Sequence, residues 1–168
     1  MRKYLLHVLI ISFVFLLAAT VHVATYAGEI EDAKEEVRKN PDSKEAYNAL
    51  GNAYYKLGKY KEAIEPYKQA IWIDHLYGAA HYNLGNTYAK LARPTSRYHE
   101  WAIKHYNNAI SYWYNDPRLA MAHYNLALAY IFLSRDRWAA EEQIKKLQDL
   151  GEWKRAKRLK GVISTELD

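Results

Sequence analysis

The chain contains no cysteine, which excludes a cysteine nucleophile and a zinc–thiolate site and leaves its histidines and serines as the first candidates for catalysis or metal binding. After His99-Glu100 the next histidine is His105, so the spacing that sets two zinc ligands one helical turn apart is absent. Ser111 and Ser134 have no evident base partner in the sequence. No glycine-rich phosphate loop follows a predicted strand. We therefore predict no catalytic residue, no metal site and no cofactor.

Two further histidines occupy corresponding places in the sequence. His81 and His123 each stand in the segment Ala-His-Tyr-Asn-Leu, so the fold would repeat them in space. A ladder of ligands is one interpretation of this pattern. The interpretation that we favour is a large side chain packed between helices at the same position of a repeated unit.

These histidines belong to a longer internal repeat. Segments 46–54 and 80–88 superimpose at an offset of 34 residues, and segment 122–130 follows 42 residues later. A regular period of this size indicates one supersecondary unit stacked on itself. Within a unit, two amphipathic helical runs are separated by a short turn, which contains Gly58 in the first copy. Each unit is therefore a helical hairpin that needs its neighbours to bury both apolar faces.

The repeated residues resemble the tetratricopeptide repeat (TPR). The first copy matches its pattern at Tyr47, Leu50, Gly51, Tyr54, Ala63, Tyr67 and Ala70. The second matches at His81, Leu84, Gly85, Tyr88, Ala102, Tyr106, Ala109 and Pro117, and the third at His123, Leu126, Ala127, Tyr130, Ala140, Ile144 and Leu147, after a slip of one residue in the turn. The resemblance implies an all-α, right-handed α-solenoid with three TPR hairpins, at about 44–77, 78–119 and 120–150.

Capping helices are expected at both ends of this stack, at 29–40 and 152–165. In the second, Trp153, Ala156, Leu159 and Ile163 share one helical face, which we expect to pack on the third hairpin. Five basic residues fall mostly elsewhere on this helix: Lys154, Arg155, Lys157, Arg158 and Lys160. The helix therefore has the composition of a cap with one packed face and one solvated face.

The second copy carries extra residues. Segment 93–97 adds five residues between its two helices, and three more precede Pro117. We expect the second helix of this hairpin to gain about one turn and to carry Tyr112, Trp113 and Tyr114 beyond the regular stack. This aromatic cluster either packs beneath the third copy, which we favour, or forms an edge that binds a partner.

The N-terminal segment 1–27 has the features of an export signal. Arg2 and Lys3 precede an almost wholly apolar run, and Thr25-Tyr26-Ala27 places small residues at the positions that a signal peptidase reads. The run is also nearly long enough to serve as an uncleaved membrane anchor, so both alternatives stay open. Either one predicts that the domain at 28–168 is exported, to the periplasm or to the periplasmic side of the inner membrane if the source is bacterial.

The family resemblance implies that the first helix of each hairpin lines a concave groove. The groove residues carried over by position are Asn48, Asn52, Tyr55, Tyr82, Asn83, Asn86, Lys90, Tyr124, Asn125 and Leu128, followed in the third copy by Ile131 and Phe132. Asparagine can pair with both the donor and the acceptor of a peptide backbone, although asparagines at these positions can also be merely solvated. A clamp for a terminal carboxylate is not expected, because Asn48, Met121 and Asn125 stand where its cations belong.

Composition and groove together favour a non-enzymatic module that binds a protein or peptide. Without residues 1–27 the chain has 22 basic and 19 acidic residues, too mild an excess to indicate a nucleic-acid partner. The alternative is a membrane-surface adaptor that uses the basic C-terminal helix, and an enzyme is a third and weaker option. We expect the scaffold to act in the assembly of an envelope complex. We also expect replacement of Tyr82 and Asn86 to abolish capture with little change in melting.

Overall fold

The computed structural model describes residues 2–93 and 96–167; from residue 2 to 27 it describes only a few of the side chains. Within these residues the chain forms eight α-helices and one π-helical turn, and no β-strand. The helices are α1 Arg2–Lys39, α2 Lys44–Lys56, α3 Tyr60–Ile73, α4 Gly78–Leu91, α5 Tyr98–Tyr112, α6 Leu119–Ala129, α7 Arg137–Asp149 and α8 Trp153–Glu166, with the π-helical turn at Tyr130–Ser134. The predicted all-α fold class is confirmed.

Each helix packs against the next one along the chain, as expected for stacked hairpins. The pairs α2 and α3, α4 and α5, and α6 and α7 form three hairpins, α1 packs on α2, and α8 packs on α6 and α7. Gly58 and Gly151 have φ near +76° and +78°. This left-handed conformation commonly follows the end of a helix, and glycine adopts it with the least strain. Ser43 and Asp136 begin α2 and α7 by accepting a hydrogen bond from a backbone N–H of the first turn.

A tyrosine packed on a glycine holds each of the first two hairpins together. A Cβ atom added to Gly51 would lie 2.5 Å from the ring of Tyr67, and one added to Gly85 would lie 2.9 Å from the ring of Tyr106. In the third hairpin Ala127 replaces the glycine, and the smaller Ile144 replaces the tyrosine. The two helices can therefore approach closely in the third copy as well, because the larger alanine on the first helix faces a smaller side chain on the second.

The turn of the third hairpin differs from the others. The π-helical turn Tyr130–Ser134 follows α6 directly, and Arg135 closes it with φ near +54°. The backbone N–H of Asp136 then donates to the carbonyl of Tyr130. A π-helical turn takes up one extra residue without breaking the helix, which accounts for the slip of one residue in the sequence pattern.

The C-terminal helix α8 packs on the third hairpin. Ala156, Leu159 and Ile163 are buried in one apolar cluster with Ile144 and Leu147. The expectation that Trp153 shares this packed face is wrong, because its side chain is 63% exposed. Trp153 is the first residue of α8, and it does not belong to this apolar cluster.

The second hairpin shows that the predicted extra helical turn is also wrong. Helix α5 ends at Tyr112, and Trp113 is buried, with its indole against the backbone of Gly78 and its ring 5.3 Å from that of Tyr82. The guanidinium of Arg118 lies over the Trp113 ring, 4.5 Å from its centroid. Trp113 therefore fills the second hairpin itself instead of packing beneath the third. Pro94 and Thr95 of the inserted segment lie outside the described residues.

Helix α1 covers the open side of α2 through its C-terminal part. Ile30 is buried against Leu50 and Ala53, with Ala33 and Val37 packed beside them. In the part of the chain that the structure describes, no helix has both the length and the apolar character that crossing a membrane requires. Most side chains of the apolar run in 1–27 lie outside the described residues, so the signal or anchor stays a prediction.

Two histidines form a largely buried pair between α4 and α5. The Nδ1 atoms of His81 and His105 are 2.9 Å apart, and His81 Nε2 donates to the carbonyl of His75 at 3.1 Å. His81 therefore accepts at Nδ1, and His105 donates. Burial, with smaller effects of His81, Lys104 and Lys68, lowers the pKa of His105 to about 4.

We predict opposite effects for two glycine substitutions. Gly51→Ala should lower the free energy of unfolding by roughly 1 to 3 kcal/mol, because the new methyl group overlaps the ring of Tyr67. Gly161→Ala in α8 should raise it by up to about 1 kcal/mol, since open space surrounds that position and alanine favours a helix. Urea unfolding of both variants measures the difference, and a stabilised Gly51→Ala variant would contradict the packing.

We further predict that stability falls as the pH drops from 7.5 to 5. An unfolded histidine takes up a proton near pH 6.5, whereas folded His105 resists protonation down to about pH 4, so the native state is stabilised above pH 6.5 and loses this stability below it. The free energy of unfolding should decrease by about 2 kcal/mol at pH 5 through this residue. His105→Gln should flatten the pH dependence in chemical unfolding; an unchanged slope would argue against the pair.

Candidate functional site

Asparagines connect the first helices of neighbouring hairpins along the concave groove. The Nδ2 group of Asn83 on α4 donates to Oδ1 of Asn48 and to Oδ1 of Asn52 on α2, at 3.0 Å in both cases. The hydroxyl of Tyr67 donates to the same Oδ1 of Asn52 at 2.8 Å. These bonds join α2, α3 and α4 in one network.

The same arrangement recurs one hairpin later. The Nδ2 group of Asn125 on α6 donates to Oδ1 of Asn86 and to the hydroxyl of Tyr82, at 2.9 Å in both cases. The hydroxyl of Tyr106 donates to Oδ1 of Asn86 at 2.8 Å. Burial raises the pKa of Tyr67 and of Tyr106, so both hydroxyls remain protonated donors at neutral pH.

We call these five asparagines, Asn48, Asn52, Asn83, Asn86 and Asn125, the asparagine ladder. Its internal bonds use the donors of Asn83 and Asn125 and the acceptors of the other three. Among the described residues, no hydrogen bond reaches the amide oxygens of Asn83 and Asn125 or the amide NH2 groups of the other three. These unbonded atoms are not buried, so they remain accessible in the groove. The ladder therefore presents both acceptors and donors to the groove.

A cavity of about 480 Å³ opens beside the ladder. Its lining combines amide, cationic and apolar side chains: Tyr55, Asn86, Lys90, Asn125, Leu128, Phe132 and Leu133, with Ala89, Tyr106 and Ala129. Six of the predicted groove residues thus lie around one cavity. Phe132 was assigned to the groove only from its position in the repeat. Its side chain lies at the cavity wall and is 51% exposed.

Tyr82 is placed differently from the expectation. Its side chain is 9% exposed and packs between the rings of Tyr106 and Trp113, so it belongs to the core. The expected placement of Tyr82 on the open face of the groove is therefore wrong, and replacing both Tyr82 and Asn86 should lower the melting temperature. Ile131, which the repeat pattern also assigned to the groove, is fully buried, because the π-helical turn rotates it inward. Tyr124 is half-buried on α6.

Few formal charges face the groove. Lys56 pairs with Glu29 of α1 at 2.9 Å, and Arg155 pairs with Glu152 at 2.6 Å. Lys90 is exposed at the cavity and makes no ion pair among the described residues. The one uncompensated charge of the described cavity wall is therefore positive, which favours a ligand that carries an acidic group near an apolar one.

His81 and His123 do not form a common ligand set. His123 Nδ1 bonds to Oε1 of Gln143 at 2.8 Å, whereas His81 bonds to His105 on a different helix pair. Among the described residues no group of three or more potential ligands is arranged to hold a metal ion. His81 and His123 are both buried, in agreement with the packing interpretation.

We predict that Asn125→Ala lowers the free energy of unfolding by roughly 1 to 3 kcal/mol. The substitution removes two hydrogen bonds and leaves the half-buried oxygens of Tyr82 and Asn86 with fewer donors. Asn107→Ala is the matched control, because Asn107 is exposed on α5, and its effect should stay within about 0.5 kcal/mol. Equal melting temperatures for the two variants would show that the ladder is only solvated.

Comparison with known proteins agrees with this geometry. Residues 33–65 match a family model described as Tetratricopeptide repeat, and residues 51–91 match one described as TPR repeat. A stretch of 57 residues is 33% identical to the Small glutamine-rich tetratricopeptide repeat-containing protein 2 of Mycosarcoma maydis. This match covers 34% of the chain and only 16% of that protein.

Solved structures extend the likeness to most of the chain. A crystal structure of MamA is 26% identical, with a TM-score of 0.55 over 81% of this chain and 69% of that one. A thermophilic TPR protein of Thermus thermophilus, TTC0263, is 20% identical, and its TM-score of 0.60 over 89% of this chain and 87% of that one shows a shared fold. The family models thus place tetratricopeptide repeats within residues 33–91, and the hairpins with these structural likenesses show the fold of an α-solenoid over most of the chain.

Proposed function

We propose that this chain is a non-enzymatic scaffold that binds a peptide or protein segment in its concave groove. The observation that carries the proposal is the cavity of about 480 Å³, which Leu128 and Phe132 line together with the amides of Asn86 and Asn125. Tetratricopeptide repeats generally mediate protein–protein interactions, and their solenoids offer extended concave surfaces for this purpose.

The ladder supports an extended peptide as the ligand. Its open donors and acceptors lie on successive hairpins, and an extended backbone presents donors and acceptors in alternation. The adjoining cavity accommodates a large apolar side chain, and Lys90 attracts an acidic neighbour of that side chain. The proposed ligand is therefore a segment with an apolar anchor beside an acidic residue.

The apolar segment in 1–27 supports a place for this scaffold outside the cytoplasm. Either a cleaved signal or an anchor would deliver the repeats to the periplasm of a bacterial source, where we propose that they act in the assembly of an envelope complex. An adaptor that uses α8 on a membrane has less support, because Ala156, Leu159 and Ile163 of that helix are already buried.

We predict that a photo-crosslinking amino acid at Phe132, in the full chain expressed in its own cells, captures a discrete protein product. The same amino acid at Trp72 is the matched control, since Trp72 is 72% exposed on α3, away from the cavity lining. Lys90→Glu in the same chain should weaken the product at Phe132 by about tenfold, as expected for one charge-assisted contact. Equal products at both positions, or none at Phe132, would contradict groove binding.

A further inference from the structure

A second cavity adjoins the first one in the concave groove. It has a volume of about 440 Å³ and lies between the C-terminal part of α1 and helix α2. Its lining comes from these two helices: Glu29, Asp32, Ala33, Ala49, Asn52, Ala53, Tyr55 and Lys56. We call it the Asp32 cavity, and we call the cavity of about 480 Å³ described above the Lys90 cavity.

The two cavities are neighbouring parts of one groove. Tyr55, near the end of α2, lines both of them. The asparagine ladder also reaches both, because Asn86 lines the Lys90 cavity and Asn52 lines the Asp32 cavity. Asn52 uses its oxygen to accept from Asn83 and Tyr67, so its amide NH2 group stays available to a ligand. A segment bound along the ladder therefore meets both cavities.

The described linings of the two cavities differ in the sign of their charge. Lys90 is the single formal charge of the Lys90 cavity lining. The Asp32 cavity has two carboxylates and one cation, and that cation, Lys56, is held by Glu29 at 2.9 Å. Asp32 is exposed and makes no ion pair among the described residues. One negative charge therefore remains uncompensated in this lining.

Neighbouring residues do not cancel the charge of Asp32. Glu36, one turn further along α1, is a second exposed acid without an ion pair in the described part of the chain. Lys59, in the turn after α2, is exposed, but it lies beyond Lys56 and does not line the cavity. The other cations of α1 near this cavity are already held by acids of the same helix: Lys34 by Glu31, and Arg38 and Lys39 by Glu35.

We propose that the Asp32 cavity is a second subsite of the groove, which takes a lysine or arginine side chain of the bound peptide; this inference rests on the groove binding proposed above. Asp32 supplies the charge partner of the basic group. The alanines of the lining leave room for the aliphatic stem of such a side chain, and the ring of Tyr55 is a favourable neighbour for its cation. The ligand thus carries charges of both signs, in the reverse order to the groove.

The spacing of the helices sets the spacing within this ligand. Helix α1, which carries Asp32, packs on α2, and α2 in turn contacts α4, which carries Lys90. Neighbouring helix axes are about 8 to 10 Å apart, and an extended chain advances about 3.3 Å per residue. The basic residue should therefore lie roughly five residues from the acidic residue beside the apolar anchor.

A library of random twelve-residue peptides displayed on phage, selected against the full chain in lipid nanodiscs, tests this arrangement. We expect the selected peptides to share an apolar residue beside an acidic one and a lysine or arginine at the stated spacing. A fluorescent copy of one such peptide should bind Asp32→Lys about tenfold more weakly, because the reversal turns an attraction into a repulsion. Replacing the basic residue of the peptide by glutamate should reverse this preference.

Glu62→Lys is the matched control. It makes the same change of charge at an exposed position of α3 that lines neither cavity, and it should leave the affinity unchanged. Unchanged affinity for Asp32→Lys, or an equal loss with Glu62→Lys, would overturn the subsite and leave groove binding in place. If the selected peptides bind Lys90→Glu as tightly as the unsubstituted chain, or if no sequence is enriched, groove binding itself is contradicted and the subsite with it.

Discussion

The hydroxyl groups of Tyr67 and Tyr106 connect the interior of the solenoid to its groove. Each ring lies against a glycine on the first helix of its hairpin, and each hydroxyl donates to the asparagine one position further along that helix. That asparagine then accepts from the next hairpin. In the first two hairpins, packing within the hairpin, stacking on the next hairpin and the polarity of the groove thus depend on one tyrosine each. Loss of a tyrosine would therefore disturb all three.

The third hairpin lacks this connection. Ile144 stands where the tyrosine would be, and Leu128 stands where the asparagine would be, so neither residue can continue the ladder. The two changes occur together because an asparagine without its hydroxyl partner would face an apolar neighbour. As a result, the groove becomes apolar at Leu128 and Phe132, and the cavity lies where the polar and apolar parts meet.

The hairpins could be predicted from the sequence because the repeated residues are those whose size and helical spacing decide the packing. Gly51 with Tyr67 and Gly85 with Tyr106 carry this information in their side chains. The burial of Tyr82 could not be predicted in this way, since it depends on Trp113, which lies outside the repeat pattern. Trp153 was misplaced for a related reason: helical periodicity gives the direction of a side chain but not the extent of the surface that it meets. The partner of the groove depends on a second molecule and has no signal in this chain.

The different chemistry of the hairpin interfaces gives the solenoid an uneven response to temperature. Hydrogen bonds of the ladder join the first hairpin to the second and the second to the third. The contact between α7 and α8 is instead mainly apolar, through side chains such as Ile144, Leu147, Leu159 and Ile163, with a hydrogen bond from Arg135 to the carbonyl of Glu166 at its edge. Attraction between apolar surfaces weakens on cooling, and hydrogen bonds do not share this dependence. The C-terminal cap should therefore loosen on cooling before the interfaces that the ladder joins, so the two ends of the third hairpin differ in their response to cold.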